Sequence, residues 1–211
     1  MGESELRELL VRRARAAELS IDDVLLDRLQ AYYNLLVHWN ARINLTGFPL
    51  DQPTDGAVDR LLIEPLIIAQ SLPLPVSVWF DLGSGAGSPA IPIQLYRPAK
   101  TLVLVESKGR KGAFLREVAR ALSLESLEVE VKRIESIALT HPLAGAADLV
   151  TVRAVRPSDD ILEAVWSLLR FGGQAAFIGS KFDASAARQG FQVVPVTDPA
   201  SSDSLLLLSK V

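Results

Sequence analysis

Val76-Ser-Val-Trp-Phe-Asp-Leu-Gly-Ser-Gly-Ala-Gly87, running on into Ser88-Pro-Ala-Ile-Pro92, is a short apolar run broken by three evenly spaced glycines. Its first seven residues have the pattern of a strand buried on both faces. Glycine takes positive φ without steric cost and lets a ligand approach bare backbone, so Gly83, Gly85 and Gly87 read as a turn shaped for contact. The prolines beyond it suit the first turn of a helix, where no N–H partner is needed. Strand, glycine turn and helix in that order put the turn at the carboxyl end of a strand in an open α/β sheet, where ligands bind.

Downstream, Thr101-Leu-Val-Leu-Val105 repeats the buried-strand pattern and is closed by Glu106. A carboxylate there is placed to accept hydrogen bonds from both ribose hydroxyls of an adenosine. Residues 108–122 read as a helix with Phe114, Leu115, Val118, Ala119 and Leu122 inward. Strands are expected at 127–131, 147–152 and 174–178, a helix at 161–169, and two closing strands at 191–196 and 205–210. Upstream, residues 3–18 read as a helix with Leu6, Leu9, Leu10 and Ala14 on one side. Ser20-Ile-Asp-Asp23 has a capping pattern, and a second helix follows over 21–40, with Leu25, Leu29, Tyr32, Tyr33, Leu36 and Trp39 at helical spacing. Residues 44–55 read as loop, and a helix resumes over 57–71 with a disturbance at Pro65. The expected architecture is α/β: a mostly parallel, seven-stranded, Rossmann-like sheet with helices on both faces and a closing hairpin. A helical extension over residues 1–72 packs on a core over 73–211, forming one structural domain.

Composition narrows the chemistry. With no cysteine, disulfides, thiolate metal sites and cysteine nucleophiles are excluded, and His38 and His141 lack ligand-like spacing. No metal is expected. The charged N-terminus and the interrupted apolar runs point to a cytoplasmic protein without membrane attachment. A net charge of -3 means that any nucleic-acid contact must use a local basic patch.

The glycine turn alone does not separate a dinucleotide from S-adenosylmethionine. Two features favour the latter: Asp81 stands where it can hold the amino-acid end of that cofactor, and Ser88 stands where a dinucleotide fold wants Gly or Ala.

The chain resembles the bacterial ribosomal RNA small subunit methyltransferase G family, also called glucose-inhibited division protein B. Tyr33-Asn-Leu-Leu-Val-His-Trp-Asn-Ala-Arg-Ile-Asn-Leu-Thr46 is similar to its N-terminal signature, and residues 81–92 to its cofactor motif. Glu106-Ser-Lys-Gly-Arg-Lys-Gly-Ala-Phe-Leu115, Arg133-Ile-Glu135, Val152-Arg-Ala154 and Gly179-Ser-Lys181 are similar to later segments. Arg60-Leu-Leu-Ile-Glu-Pro-Leu66 departs from the usual Arg-His-Ile-Leu-Asp-Ser-Leu, so the usual His and Asp are absent. Ser88 and Ala90 replace a bulky apolar residue and a glycine, and an Arg before the last strand is missing although Lys210 is kept.

The resemblance implies a class I methyltransferase that uses S-adenosylmethionine to methylate N7 of a guanine in 16S ribosomal RNA. It implies cofactor contacts from Asp81, Gly83, Ser84, Gly85, Gly87, Glu106, Ile134 and Glu135. Arg153 is expected at the reacting end, on the methionine carboxylate or a substrate phosphate. RNA contacts are expected from Asn44, Lys108, Arg110, Lys111 and Lys181, and the partner is free 16S RNA or the small subunit, met by a monomer. Plainer readings stand beside these. Arg153 also suits a structural ion pair, although a strand end lining the crevice favours the functional role; Arg133 and Lys181 suit ordinary surface charges equally well, the cations of 108–120 a solvated helix face, and Asn40, Asn44 and Thr46 capping. A methyltransferase for a small molecule or protein, a noncatalytic ribosome-binding relative and a nicotinamide enzyme remain open on the residues alone.

Overall fold

Successive residues of a strand point to opposite faces, and here both faces are apolar. Trp79, Leu102, Leu104, Leu149 and Ala176 belong to one buried cluster, while Phe80, Val103, Val105, Val150 and Phe177 belong to another. A sheet apolar on both sides must be covered on both sides.

The computed structural model describes residues 3–73, 75–153, 158–179, 190–194 and 205–211. The elements are α1 (Glu3–Ala16), α2 (Asp23–Asn40), α3 (Asp55–Val58), a π-turn (Asp59–Ile63) and α4 (Glu64–Ser71). β1 (Val78–Leu82), α5 (Ala90–Tyr96), β2 (Thr101–Val105), α6 (Gly109–Ala121), β3 (Leu127–Glu130) and α7 (Ile134–Thr140) follow. β4 (Ala147–Arg153), α8 (Asp159–Leu168), β5 (Leu169–Ile178), β6 (Phe191–Val194) and β7 (Leu205–Lys210) complete the chain. The seven strands lie in the order β3-β2-β1-β4-β5-β7-β6, and β7 runs antiparallel to both its neighbours. β1 is therefore central, flanked by β2 and β4. Residues of α1 to α6 cover the Trp79 face, and those of α7 and α8 cover the Phe80 face. Among the described residues, no helix is long and apolar enough to cross a membrane.

Four local expectations are corrected. Helix α1 stops at Ala16, because Glu18 takes a left-handed φ of 55° and Leu19 N–H closes on the Ala14 carbonyl at 2.9 Å. This is a glycine-type ending built on a glutamate. Helix α2 is capped not by Ser20 but by Asp22, whose carboxylate accepts from Leu25 N–H at 2.7 Å. Strand β5 starts at Leu169 rather than at 174: Leu169 pairs with Ala147 and Gln174 with Leu149, and the residues between them, Gly172 and Gly173 included, form a bulge. Helix α7 was not expected. It is short, and its N-cap residue Arg133 offers no capping side chain.

A buried lysine ties β7 to the junction of α8 and β5. Lys210 Nζ donates to the carbonyls of Trp166 and Leu169, both at 2.7 Å, and sits 4.6 Å from the Trp166 ring centroid. This accounts structurally for a residue the family resemblance had singled out.

Gly87 tests how tightly the turn is packed. With φ +83°, an added Cβ would collide with Ile91 Cδ1 and lie 3.2 Å from Leu115 Cδ2. Gly87→Ala is expected to lower stability by roughly 2–4 kcal/mol in urea unfolding. Gly56→Ala, in α3 with nothing within 4 Å, should be neutral or slightly stabilising. Equal effects at the two glycines would contradict this packing.

Candidate functional site

The glycine turn is held from several directions before any ligand is considered. Gly83 and Ser84 N–H groups donate to the Val105 carbonyl at 2.8 and 3.1 Å, and Gly87 N–H donates to Ser84 at 2.6 Å. Ser84 Oγ donates back to the Asp81 carbonyl at 2.9 Å, and the buried Tyr32 hydroxyl donates to Ala86 at 2.6 Å. Gly83, Gly85 and Gly87 all have positive φ, at 74°, 53° and 83°. At Gly85 an added Cβ would come no nearer than 3.6 Å to protein, so the backbone there is open for close approach.

Glu106 is buried and joins two turns. One carboxylate oxygen accepts Gly85 N–H at 3.0 Å, and the other accepts Lys108 N–H at 2.8 Å. A carboxylate offers about four lone-pair sites. The Ser107 hydroxyl reaches a third only at 3.5 Å, so acceptor capacity is left for ribose hydroxyls and the residues present fit an adenosine.

Two cavities meet at Gly83. A cleft of about 480 Å³ is lined by Gly83, Glu106, Lys108, Arg133, Ile134 and Glu135, among others. A second, of about 300 Å³, is lined by Thr46, Phe48, Gly85, Ser88, Lys111 and Arg153, with neighbours from the π-turn. A nucleoside with an amino-acid arm needs such a pair of connected spaces. Flanking the first cleft, a groove of about 310 Å³ between α7 and α8 is lined by Glu135, Asp160 and Glu163.

Asp81 lies beneath the turn, 2% exposed, accepting from Thr151 Oγ at 2.5 Å. Thr151 in turn accepts from Trp79 Nε1 at 2.9 Å. Burial pushes the Asp81 carboxyl up from 3.8 to about 6, although the Thr151 hydrogen bond and the nearby Arg153 charge pull the other way.

Arg153 closes β4 on the same sheet face as Leu149 and Thr151, toward the π-turn. It donates to Ser88 Oγ at 2.8 Å, to the Arg60 carbonyl at 2.9 Å and to Glu64 at 3.0 Å. Glu64 also pairs with Arg60 at 2.5 Å. The need for these partners is local. Glu64 N–H reaches back five residues to Asp59, and Pro65 has no N–H, so the Arg60 carbonyl loses both helical partners. Pro65 also deprives the Leu61 carbonyl, which Ser88 Oγ supplies at 2.9 Å. Burial works against the Arg153 charge, and Glu64 offsets it.

The other expected residues are distributed unevenly. Lys108 lines the first cleft and Lys111 the second, whereas Arg110 and Asn44 are exposed and line neither. Asn40 is a cap, accepting from Leu45 and Thr46 N–H groups, both at 3.0 Å. Arg120 pairs with Glu117 at 2.7 Å, and Arg116 donates to the Val129 carbonyl at 3.2 Å. Lys181 and Ala154 lie outside the described residues. Residues the sequence reading did not single out for the site are Phe48, Glu64, Thr151, Lys132 and Ile161. Of these, Glu64 had a signal, since it keeps an acid where the family pattern has Asp.

A family model described as rRNA small subunit methyltransferase G matches residues 25–196. The chain belongs to this family. A relative named ribosomal RNA small subunit methyltransferase G from Roseiflexus is 32% identical over 97% of this chain and 91% of its own. One so named from Paramagnetospirillum magneticum is 37% identical over 84% and 83%. The solved structure of a SAM dependent methyltransferase from Aquifex aeolicus superposes with a TM-score of 0.55 at 15% identity, covering 75% of this chain and 93% of that one. The fold of this methyltransferase G family member is thus the class I methyltransferase fold.

Asp81 sets a pH dependence. Because its folded value lies above the ordinary one, the native state binds more protons between pH 3.8 and about 6. Stability from this group is full below that window and is lost as pH rises through it, by about 3 kcal/mol. Asp81→Asn keeps an acceptor for Thr151, so it should unfold at higher urea than wild type at pH 7.5 and converge with it near pH 4. Its cofactor affinity should fall. A lower urea midpoint for Asp81→Asn at pH 7.5 would refute the buried-charge account.

In the π-turn, Ser88→Ala strands the Leu61 carbonyl and is expected to cost about 1–3 kcal/mol. The same change should cost less in a Pro65→Ala background, where residue 65 regains an N–H. Strict additivity in the double-mutant cycle would show the two positions to be uncoupled.

Proposed function

We propose that this family member transfers the methyl group of S-adenosylmethionine to N7 of a guanine in 16S ribosomal RNA, acting in the cytoplasm on the small ribosomal subunit or its RNA. The observation that carries the reading is the pair of cavities that share Gly83, with Glu106 keeping acceptor capacity beside one of them.

When bound, the sulfonium of S-adenosylmethionine supplies an electrophilic methyl group. Glu106 grips the ribose, Ile134 and Glu135 flank the base, and Gly83, Ser84, Gly85 and Gly87 form the wall along which the cofactor lies. Asp81 sits under that wall as a buried carboxylate toward the positive end of the amino-acid arm. Neutral guanine N7 carries a free lone pair, so the chain needs no general base. Its work is alignment, and proximity and orientation account for a large part of the barrier reduction. Arg153 fixes the floor of the second cavity by tying β4 to the π-turn, and presents the rest of its positive charge to a carboxylate or phosphate entering there. Lys111 lines the same cavity and suits an RNA phosphate. Lys108, at the first cleft, and the exposed Arg110 and Asn44 are further candidates for RNA contact, as is Lys181 from the family resemblance.

Calorimetry with S-adenosylmethionine, and radiolabelled methyl transfer to intact small subunits and to free 16S RNA, test this directly. Wild type is expected to bind and to label one guanine, with N7 placement read by strand scission at the methylated base. Gly85→Val should abolish binding by filling the open backbone. Glu106→Ala should weaken it by roughly a hundredfold, from two lost hydrogen bonds to a charged group. Binding without transfer to either RNA form would remove the ribosomal reading and leave a methyltransferase of another substrate.

A further inference from the structure

A guanine that presents N7 inside a protein cavity must first leave its stack, because the major groove of an RNA helix is too deep and narrow for side chains to reach N7 in place. The displaced base then needs a replacement for the lost stacking. Among the described residues lining the two cavities, Phe48 is the only aromatic, and it lies in the cavity that also holds Gly85, Lys111 and Arg153.

The ring is also held in place. Asn40 accepts from Leu45 and Thr46 N–H groups, both at 3.0 Å, and Thr46 Oγ accepts from Phe48 N–H at 3.3 Å. These bonds brace the loop on the end of α2. Phe48 packs against the main apolar cluster yet stays half-buried, with part of its surface left to the cavity. Such a pre-positioned aromatic surface stacks on a base at little entropic cost.

We propose that Phe48 is the stacking platform for the extruded target guanine and positions its N7 over the glycine turn. This rests on the methyl-transfer reading above and adds to it the residue that holds the base. Phe48 lies in the 300 Å³ cavity beside the turn, while cofactor ribose and base are assigned to the 480 Å³ cleft on the other side of Gly83. The amino-acid arm shares the smaller cavity but has no ring to stack, so a substitution at Phe48 should act far more on the guanine than on the cofactor.

The test compares wild type with Phe48→Leu, Phe48→Met and Phe48→Tyr in steady-state methylation of small subunits, alongside calorimetry with S-adenosylmethionine and thermal melting. Phe48→Leu and Phe48→Met keep apolar bulk without a π-face. Both should lower kcat/KM for the subunit by roughly tenfold or more, with a much smaller change in cofactor affinity and melting unchanged. Phe48→Tyr should restore most of the loss. Full activity in the Leu and Met variants, a parallel loss of cofactor affinity, or a Tyr variant no better than Leu would each overturn the stacking role while leaving the methyl-transfer reading intact. A wild type inert toward subunits would overturn both readings together.

Discussion

One buried carboxylate constrains the site more than any other group. Glu106 is out of water, and an unmatched charge there would cost several kcal/mol. Its two oxygens meet two backbone N–H groups, one on the turn after β1 and one on the turn after β2. Neither turn can drift without costing the carboxylate one of these bonds. The positive φ values of the glycine turn, its bonds to Val105, and the Tyr32 contact on Ala86 all operate inside this frame. The same carboxylate keeps acceptor sites for a ligand, so the group that organises the turn also faces the cleft.

A second fastening joins the helical segment before β1 to the sheet. Period-two alternation in Leu149-Val-Thr-Val-Arg153 puts Thr151 and Arg153 on the face covered by α1 to α6. There the π-turn and Pro65 deprive two carbonyls of their i+4 partners, and Ser88 and Arg153 donate to both. Two departures from the family pattern, Pro65 and Ser88, are thus complementary: one removes a donor and the other supplies one. π-Turns are frequent at functional sites because they release main-chain groups for other partners, and here the released groups secure the rim of the second cavity.

The sheet was legible because its strands are continuous apolar runs and its central turn has glycines where positive φ is required. The disturbance at Pro65 was legible for the same kind of reason: proline removes a donor wherever it stands. The ending of α1 was not, because Glu18 adopts a conformation usually left to glycine, and only the packed structure imposes it. Helix α7 was missed because it has neither a capping side chain nor enough length for a clear period; packing on α8 through Ile137 and Ala138 stabilises it. Within the site, Glu106 and the glycines could be read from order alone. Thr151 and Phe48 could not: Thr151 meets Trp79 from 72 residues away, and Phe48 shares a cavity with Gly85 and Arg153 only once the chain has folded.

The groove between α7 and α8 gives the molecule an electrical asymmetry. Glu135, Asp160 and Glu163 lie on the flank of the larger cleft, whereas Arg60, Lys111 and Arg153 surround the smaller. A polyanion drifting toward such a surface is repelled along one border and drawn in along the other, within a Debye length of about 8–10 Å. Net acidity is then no obstacle to handling RNA. Local charge decides where an anion is drawn in, and raised salt becomes a blunting agent for orientation as well as for affinity.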